Sequence, residues 1–571
     1  MLSYEQEELI SDAIRPLFQY LEREVIREIA QRIEKSLQYT RTIENRVEAL
    51  QRLGYSPAKI RARVMKDLMA DAEFQKLVEE NTLEYKKECK KLLKSVQDKA
   101  VKEAKGMMQQ SGKLAWSDDV SIWNEQGKTL KEDSFMKDLI NAISQQTAGE
   151  MKNLTNTTAV GFHTAGGYQK LSNAYKNELD KALIKICTGT YSKSEVVNEV
   201  IHNLAESGLR SIDYESGRSM QIDTAAKLAI RTGAHQISSK IHDENIMQSG
   251  ENLVYISKHW GARNKGTGVE NHEEWQGKVY YIKPGEDYSE EAKRIGQSTI
   301  EDIWEKTGYS PDGSKPNNPL GLDGYNCRHM KTVWFLGASS KPVELTEPGP
   351  FVITGKTYTY YDMTQKMRQM ERKVRALKRE RDALKALNQP VEQINNRIKE
   401  KTDEYTDFCE KYNLKPHTAN LRVEAGSSDI QKTKAYKDYQ ELAKRQESDK
   451  IELEEYKEML KTRKIVTKSK DVRALPYESD HNSISDFVDE DGAVITRRVY
   501  DISGKAKVDY DTTDHNRPKY HPTGAHKHTY NYENKNPRSI AKKLSELDLQ
   551  KNDDIIRKGE NYHEAEVQRT D

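Results

Sequence analysis

Apolar residues in the first hundred positions recur at the spacing of an amphipathic helix. One such stripe consists of Ile10, Ile14, Leu17, Leu21, Ile26 and Ile29. Gly54-Tyr55-Ser56-Pro57 interrupts the pattern, with Ser56 suited to cap the next helix and Pro57 suited to its first position. From Ala58 to about Lys105 the chain is dense in Lys and Glu, which fits a solvated helix or a helix that faces a partner. We therefore predict long helices over residues 2–110.

Residues 111–245 combine a predicted loop region with further helices. Ser111-Gly112 and Trp116-Ser117-Asp118-Asp119 predict that residues 111–150 are rich in loops. A helical apolar face ended by Gly189 then comprises Leu154, Phe162, Leu171, Tyr175, Leu179, Leu183 and Ile186. Ser192 or Ser194 caps the next helix, and residues 208–212 predict a turn. Asp223 opens a helix that ends near Gly233 or runs on through Ile241.

The periodicity changes after residue 251. Leu253–Ile256 and Lys278–Ile282 are rich in β-branched and aromatic residues, which predicts strands. Glycine and proline turns surround both segments, as at Pro284-Gly285. The pattern indicates a compact α+β module with long loops that ends near Val343.

A heptad seam follows the Pro348-Gly349-Pro350 linker. It comprises Met363, Met367, Met370, Val374, Leu377 and Leu384, with Arg381 interrupting the series. Pro390 breaks this coiled-coil-like helix, and Val391, Ile394 and Ile398 can begin a returning helix. The central break favours an antiparallel hairpin over a long parallel dimer. A charged helix is predicted over about 428–463, and two strands joined by Ser503-Gly504 are predicted over 493–500 and 507–510.

These elements predict an α+β protein that is predominantly helical. Its 571 residues suggest about three to five structural units. We divide the chain into a helical N-terminal region (1–145), a helical domain (146–250), an α+β module (251–345), a helical hairpin or coiled-coil arm (346–465) and a small, His-rich, β-containing C-terminal module (466–571).

Composition narrows the class of protein. Hydrophobic residues are 35% of the chain and charged residues 32%, whereas about 45–50% and about 25% are typical. Extended helices or folding that depends on a partner would explain so little core material. The net charge of +1 gives no global argument for wrapping nucleic acid. The four cysteines are far apart, which favours a reducing compartment. The N-terminus does not resemble a signal peptide, and no apolar run approaches the ~20 residues of a membrane span.

Two separated motifs carry the most specific signal. The first is His259-Trp260-Gly261-Ala262-Arg263 followed by His272-Glu273-Glu274-Trp275-Gln276-Gly277-Lys278, and the second is Gly321-Leu322-Asp323-Gly324-Tyr325-Asn326-Cys327-Arg328-His329. With further ordered motifs between Met151 and Gly233, roughly residues 5–345 resemble the phage minor capsid family, the portal-associated head-morphogenesis proteins of tailed phages related to the phage Mu F-like group. Asn264 stands where that family usually has proline, and the loop after it is longer, which puts its geometry in question.

The residues of the two motifs allow two chemical interpretations. His272, Cys327 and His329, with His259 nearby, are of types that bind zinc, although their spacing matches no standard finger. The alternative, which we favour, is a structural cluster without a cofactor and without catalytic residues. Its residues would be His259, Gly261, Ala262, Arg263, Trp275, Gln276, Gly277, Asn326 and Arg328.

The C-terminal region holds the best candidate for an enzymatic site. His526 and His528 would lie on the same face of a strand, because strand side chains alternate. Asp509, Asp511, Asp514 and His515 are close in sequence, and such a set could hold a divalent metal for hydrolysis. The region weakly resembles C-terminal modules of bacterial polymorphic toxins, but it has no complete nuclease signature. Histidines at the surface or in a stabilising role are the favoured interpretation.

The resemblance implies a minor structural protein of a tailed-phage head. Such a protein would be made in the bacterial host cytoplasm and reside in the virion, in the head interior or portal region. The expected partners are the portal protein and capsid or scaffold proteins, with packaged DNA as a further candidate and no membrane. Ejection together with the DNA is a further expectation from the resemblance. Two rival hypotheses are a structural N-terminal part that carries a C-terminal metal-dependent hydrolase or toxin-like domain, and a DNA-binding ejection protein.

Overall fold

The computed structural model describes residues 1–38, 41–125, 134–156, 158–164, 167–212, 217, 219–264, 266–324, 327–342, 347–472, 474–512, 524–532, 534, 536–552 and 554–556. The protein is 57% helical with 13% strand, which confirms the predicted α+β class with predominant helix. The chain forms two compact units. The first comprises Met1–Ser339 and Thr346–Leu442, and the second comprises Ser340–Leu345 and Ala443–Asp571. The finer division into five parts stays a prediction.

Fourteen helices lie in the described part of the first unit, and a fifteenth begins there. They are α1 (Tyr4–Asp12), α2 (Arg15–Gln38), α3 (Arg41–Arg52), α4 (Pro57–Ala70), α5 (Ala72–Glu125), α6 (Ser134–Leu154), α7 (Leu171–Ile186), α8 (Lys193–Ser207), α9 (Ile222–Ser249), α10 (His272–Trp275), α11 (Ser289–Arg294), α12 (Ile303–Thr307), α13 (Tyr360–Ala386), α14 (Glu392–Lys411) and α15 (Lys434–Lys461). Short 3₁₀ turns cover Gly268–Glu270, Thr418–Leu421 and Ile430–Lys432.

The core of this unit is built around the 54-residue helix α5, which packs against α2, α6 and α9. Its buried positions, including Tyr85, Cys89, Leu93 and Val96, follow steps of three and four residues, so one face is apolar and the opposite face is charged. The predicted stripe from Ile10 to Ile29 is completely buried in α1 and α2. Ser56 and Pro57 take the predicted N-cap and first position of α4.

The prediction that residues 111–150 are rich in loops is wrong for 111–125 and 134–150, and residues 126–133 lie outside the described residues. Helix α5 continues to Glu125, and α6 covers Ser134–Leu154. Gly112 is not a turn residue here; a Cβ at this position would meet Ile140 Cδ1 at 2.3 Å. The glycine therefore permits α5 and α6 to approach closely. Ser111 remains compatible with the helix because its hydroxyl donates to the Met107 carbonyl at 2.8 Å.

Two further predictions, the helical placement of Phe162 and the turn at residues 208–212, are also wrong. Phe162 lies in a strand of a four-stranded sheet with the order β2-β1-β3-β4. Gly208, at φ +67°, caps α8, and Arg210–Ile212 then pairs with this sheet. The strands are β1 (Val160–Thr164), β2 (Gly167–Lys170), β3 (Arg210–Ile212) and β4 (Ser219–Gln221). Phe162 matched the helical spacing because short strands between helices have too few residues to show their own period. Helix α9 runs through Gly233 to Ser249, the longer of the two predicted alternatives.

A second sheet, with the order β7-β6-β5-β8, carries the motif loops. Its strands are β5 (Leu253–Ile256), β6 (Val279–Tyr281), β7 (Glu301–Asp302) and β8 (Lys331–Val333). Strand β5 pairs antiparallel with β6 and β8, and β6 pairs parallel with β7. The two strands that the sequence predicted are therefore confirmed.

Helices α13 and α14 form an antiparallel hairpin. Met363 and Met367 near the start of α13 share an apolar cluster with Tyr405 and Cys409 near the end of α14. A small hairpin, β9 (Phe351–Ile353) with β10 (Lys356–Tyr358), precedes it. Helix α13 also packs against α2 and α8, so the hairpin belongs to the helical body of this unit.

The second unit is a five-stranded sheet with the order β11-β12-β13-β14-β15. Its strands are β11 (Lys464–Thr467), β12 (Ile484–Val488), β13 (Val494–Tyr500), β14 (Ala506–Asp511) and β15 (His526–Thr529), followed by α16 (Glu546–Lys551). Strands β13 and β14 pair antiparallel, as predicted. Tyr456, Ile484, Tyr510 and Leu549 belong to its own apolar core. Within the described ranges of both units, every helix is too short or too polar to cross a membrane.

Candidate functional site

The two sequence motifs meet around one backbone carbonyl. Leu320 O accepts a hydrogen bond from Arg263 Nη1 at 3.0 Å and faces His272 Nε2 at 2.9 Å. The Arg263 carbonyl in turn accepts from the Glu273 N–H at 3.1 Å. These bonds join the loop before α10 to the loop before β8. The long loops around the second sheet are therefore held by specific polar contacts.

Three potential metal ligands converge at this junction, and the His259 ring lies beside them. One ligand atom from each of His272, Cys327 and His329 lies within 4.8 Å of the other two, and all three residues are buried. Cys327 Sγ is 3.5 Å from His329 Nδ1. The His259 ring lies against His329, with 4.3 Å between ring centroids. His259 Nε2 is buried and has no hydrogen-bond partner.

Trp275 and Gln276 form the wall of this cluster. The buried Trp275 ring lies 4.5 Å from the His272 ring and 4.6 Å from the His329 ring, and its Nε1 donates to Val269 O at 3.1 Å. Gln276 Oε1 accepts from the His259 backbone N–H and from His329 Nε2, both at 3.1 Å. One amide therefore orients two of the histidines.

Burial keeps the cluster uncharged in the absence of an ion. It lowers the pKa of His272 to about 4, and it lowers the pKa of His259 and, more strongly, of His329. Burial also raises the pKa of the Cys327 thiol to about 11. Without a metal the site is a set of neutral imidazoles beside a neutral thiol.

The remaining residues of the first motif have structural positions. Gly261 and Gly277 adopt positive φ values of 68° and 70°, which glycine tolerates best. The Gly261 N–H donates to Glu347 Oε1 at 2.9 Å, and the Gly277 N–H donates to Ile256 O at 2.9 Å. Ala262 is buried. These contacts fix the loop that presents His259.

The second motif forms a tight turn that presents a carboxylate. A Cβ at Gly321 would lie 2.1 Å from Thr307 O, and one at Gly324 would lie 2.3 Å from Pro319 O. Asp323 between them has φ 56°, a conformation that aspartate tolerates better than most residues. Arg328 lies over the Tyr4 ring at 5.0 Å. Asn326 lies outside the described residues.

Asp323 belongs to a buried charge network that the sequence analysis missed. His235 on α9 faces Glu7 Oε1 at 2.7 Å and Asp323 Oδ1 at 2.9 Å. Lys331 Nζ contacts Asp323 Oδ2 and Asp243 Oδ1, both at 2.7 Å. Burial alone would lower the pKa of His235, but the two carboxylates raise it well above its ordinary value. The imidazolium therefore donates to both.

The sequence contains a pattern that fits this network but does not identify it. His235, Ser239 and Asp243 recur every four residues along α9, so they share one helical face. Their partners lie about 90 residues away along the chain, at Asp323 and Lys331, and no local pattern specifies that pairing. Arg231, one turn earlier on α9, pairs with Glu8 at 2.9 Å.

The second unit has its own cluster, on strands β14 and β15. His526 Nε2 and His528 Nε2 are 3.1 Å apart, and each is 3.4 Å from Asp511 Oδ2. Of the carboxylates proposed from the sequence, Asp511 therefore belongs to the cluster, whereas Asp509 pairs with Arg498 at 2.6 Å. Both lie on the same face of β14, opposite His526 and His528 in the register, so the ion pair with Arg498 is what distinguishes Asp509. Asp514 and His515 lie outside the described residues.

Arg538 makes metal binding by this second cluster less favourable. Its Nη2 lies 2.7 Å from Asp511 Oδ2, and Thr496 donates to Asp511 Oδ1 at 2.6 Å. Both carboxylate oxygens thus have donors already. A divalent cation would have to compete with the guanidinium for Asp511.

The fold and the polar cluster define a predominantly helical α+β protein whose loop module is held by buried polar contacts. The family model for phage minor capsid protein 2 matches residues 2–410, and the chain belongs to that family. It is therefore a structural component of the phage head and of the virion. Comparison with curated proteins and with solved structures gives no match.

Proposed function

We propose that this chain binds the portal or the inner capsid surface during head assembly. The observation that carries the proposal is the extent of the family match, residues 2–410, which lies within the first unit apart from the short Ser340–Leu345 segment. The function of the family therefore belongs to the helical body with its motif loops. Residues 443–571 are an addition to that body.

The exposed face of α5 offers a surface for such a partner. Between residues 84 and 105 its exposed lysines are Lys86, Lys87, Lys90, Lys91, Lys94, Lys99, Lys102 and Lys105, whereas Glu84 and Asp98 are the exposed acidic residues. A basic helix face of this length complements an acidic protein surface and accelerates association with it. We infer that this face contacts the portal.

The test is a pull-down in which the full chain is the bait. Lysates of infected cells, treated with nuclease, supply the portal protein. The double variant Lys86→Glu and Lys90→Glu reverses charge on one face of α5 and should reduce recovery by at least about 10-fold. Lys434→Glu with Lys437→Glu is the matched control, because both lysines are exposed and lie outside the family match.

If the wild-type chain and the α5 variant recover equal amounts of portal protein, this face of α5 does not contact the portal. If nuclease treatment alone abolishes recovery, DNA bridges the two proteins. The DNA-binding ejection hypothesis would then replace portal binding.

A metal-dependent hydrolase in the second unit is the second candidate function. The convergence of Asp511, His526 and His528 favours it, and the family match does not extend to these residues. Arg538 argues against a cation on Asp511. We therefore expect no activity that head assembly requires. DNA or RNA cleavage by the full chain with Mg²⁺, Mn²⁺ or Zn²⁺, abolished in His526→Ala and His528→Ala, would establish the enzyme.

A further inference from the structure

We propose that His259, His272, Cys327 and His329 bind one structural zinc ion that joins the motif loops. The three most closely grouped residues already have their ligand atoms within 4.8 Å of one another. Zinc needs four ligands when its role is structural. His259 would supply the fourth, because its ring lies beside His329 with 4.3 Å between centroids and its Nε2 is buried without a hydrogen-bond partner.

The hydrogen bonds of the three imidazoles assign their tautomers. His259 Nδ1 lies 3.1 Å from Trp260 O, His272 Nε2 lies 2.9 Å from Leu320 O, and His329 Nε2 lies 3.1 Å from Gln276 Oε1. Each partner is a carbonyl oxygen, which only accepts, so each of these nitrogens carries the proton. The second nitrogen of each ring therefore carries a lone pair that can bind a metal; that of His259 has no hydrogen-bond partner, and that of His329 lies 3.5 Å from Cys327 Sγ. Metal-bound histidines are held in this manner, with the distal N–H donated to an oxygen.

The orientation of Gln276 supports the same assignment. Its Oε1 receives the His259 backbone N–H and the His329 ring N–H. The amide therefore fixes the rotation of the His329 ring and directs Nδ1 toward Cys327 Sγ, 3.5 Å away. This separation suits two ligands that share one tetrahedral ion, since zinc bonds are about 2.0–2.3 Å long.

The donor set selects the metal and its role. Three imidazoles and one thiolate suit zinc, whereas magnesium and calcium prefer oxygen ligands. Four protein ligands leave no open position for substrate, so the ion would stabilise structure. It would connect the loop after β5, helix α10 and the loop before β8, where the chain has little regular structure.

The first measurement is the metal content of the full chain purified without chelators. We expect about one zinc per chain, lost in Cys327→Ser. Cys187→Ser is the matched control, because Cys187 is also buried and lies in α7's C-cap, away from the motifs. Asp511→Asn tests the cluster of the second unit and should retain this zinc.

Two further measurements do not depend on the folding of Cys327→Ser. Cobalt added to the metal-free wild-type chain should give a thiolate charge-transfer band in the near ultraviolet. Gln276→Ala keeps all four ligands but removes the acceptor of His329, and should weaken zinc binding by about 10- to 100-fold. Absence of stoichiometric zinc, absence of the cobalt band, or zinc that follows Asp511 and not Cys327 would overturn the proposal.

Discussion

Trp275 contributes both to apolar packing and to the polar cluster. Its ring contacts His272 and His329, and its N–H is satisfied by Val269 O. Trp260, in the neighbouring loop, is 36% exposed. Variants of the two tryptophans therefore distinguish the contribution of a buried ring to the stability of this module from that of a half-exposed ring.

Trp275→Ala should lower the free energy of unfolding of this module by about 3–5 kcal/mol, because truncation of a buried aromatic leaves a cavity. Trp260→Ala should have a clearly smaller effect. The stability of both variants is measured by urea-induced unfolding, with hydrogen exchange of the β5 and β6 amides as the readout. Equal protection in wild type and Trp275→Ala would show that this ring does not stabilise the module.

A second residue-scale prediction concerns acid stability. Burial would raise the pKa of Glu8, but Lys227 and Arg231 lower it to about 2. Because the folded-state pKa lies below the unfolded value, this group stabilises the fold above about pH 4.5. That contribution, on the order of 3 kcal/mol, is lost as pH falls from about 4.5 to about 2.

Between these pH values the free energy of unfolding of Glu8→Gln should therefore fall less steeply with decreasing pH than that of wild type. At pH 7 the variant should be less stable than wild type. Glu5→Gln on the same helix is the control, since Glu5 is exposed. Urea unfolding from pH 2 to pH 7 measures the difference. An acid limb with the same slope in wild type and Glu8→Gln would contradict the assignment.

At the scale of elements, glycine inside α5 has two different roles. A Cβ at Gly106 would meet no heavy atom within 4 Å, whereas one at Gly112 would meet Ile140. Gly106→Val should change stability by only a few tenths of a kcal/mol, because valine is slightly favoured over glycine in helices. Gly112→Val should destabilise by about 1–3 kcal/mol through overpacking between α5 and α6. Thermal unfolding of the two variants should rank them in this order; a Gly112→Val protein as stable as Gly106→Val would show that the helices do not approach there.

The same glycine shows where sequence patterns cease to predict structure. Periodicity predicted the stripe of α1 and α2, the strands β5 and β6 and the paired strands β13 and β14, because each is a local repeat of buried positions. Gly112 was misassigned because its role depends on contact with Ile140 of α6, and Phe162 because β1 is too short to show a period of its own. Residue types identified the candidate ligands of both clusters, but no local pattern signalled that Arg538 would pair with Asp511.

At the scale of the whole molecule, the boundary between the two units predicts a protease-sensitive segment. Leu421, Ala425 and Ile430 are buried in the first unit, whereas many lysines and glutamates of α15 beyond Leu442 are exposed. First cleavage is therefore expected within about 443–470, because proteases cut exposed segments with few packing contacts.

Limited trypsin digestion of the full chain should therefore release two resistant fragments, with the first cuts after lysine or arginine in this region. Mass spectrometry of the early fragments identifies the sites. First cleavage inside α5, despite its many exposed lysines, would show that the helical body is less stable than the segment beyond Leu442.

We propose that this minor structural protein works at the portal. Quantitative mass spectrometry of purified virions and procapsids, with the portal protein as internal standard, is the most direct test. We expect peptides from residues 2–410 in both particles, at a copy number fixed relative to the portal. The proposal is wrong if the chain is absent from both particles, or if its amount follows the major capsid protein and not the portal.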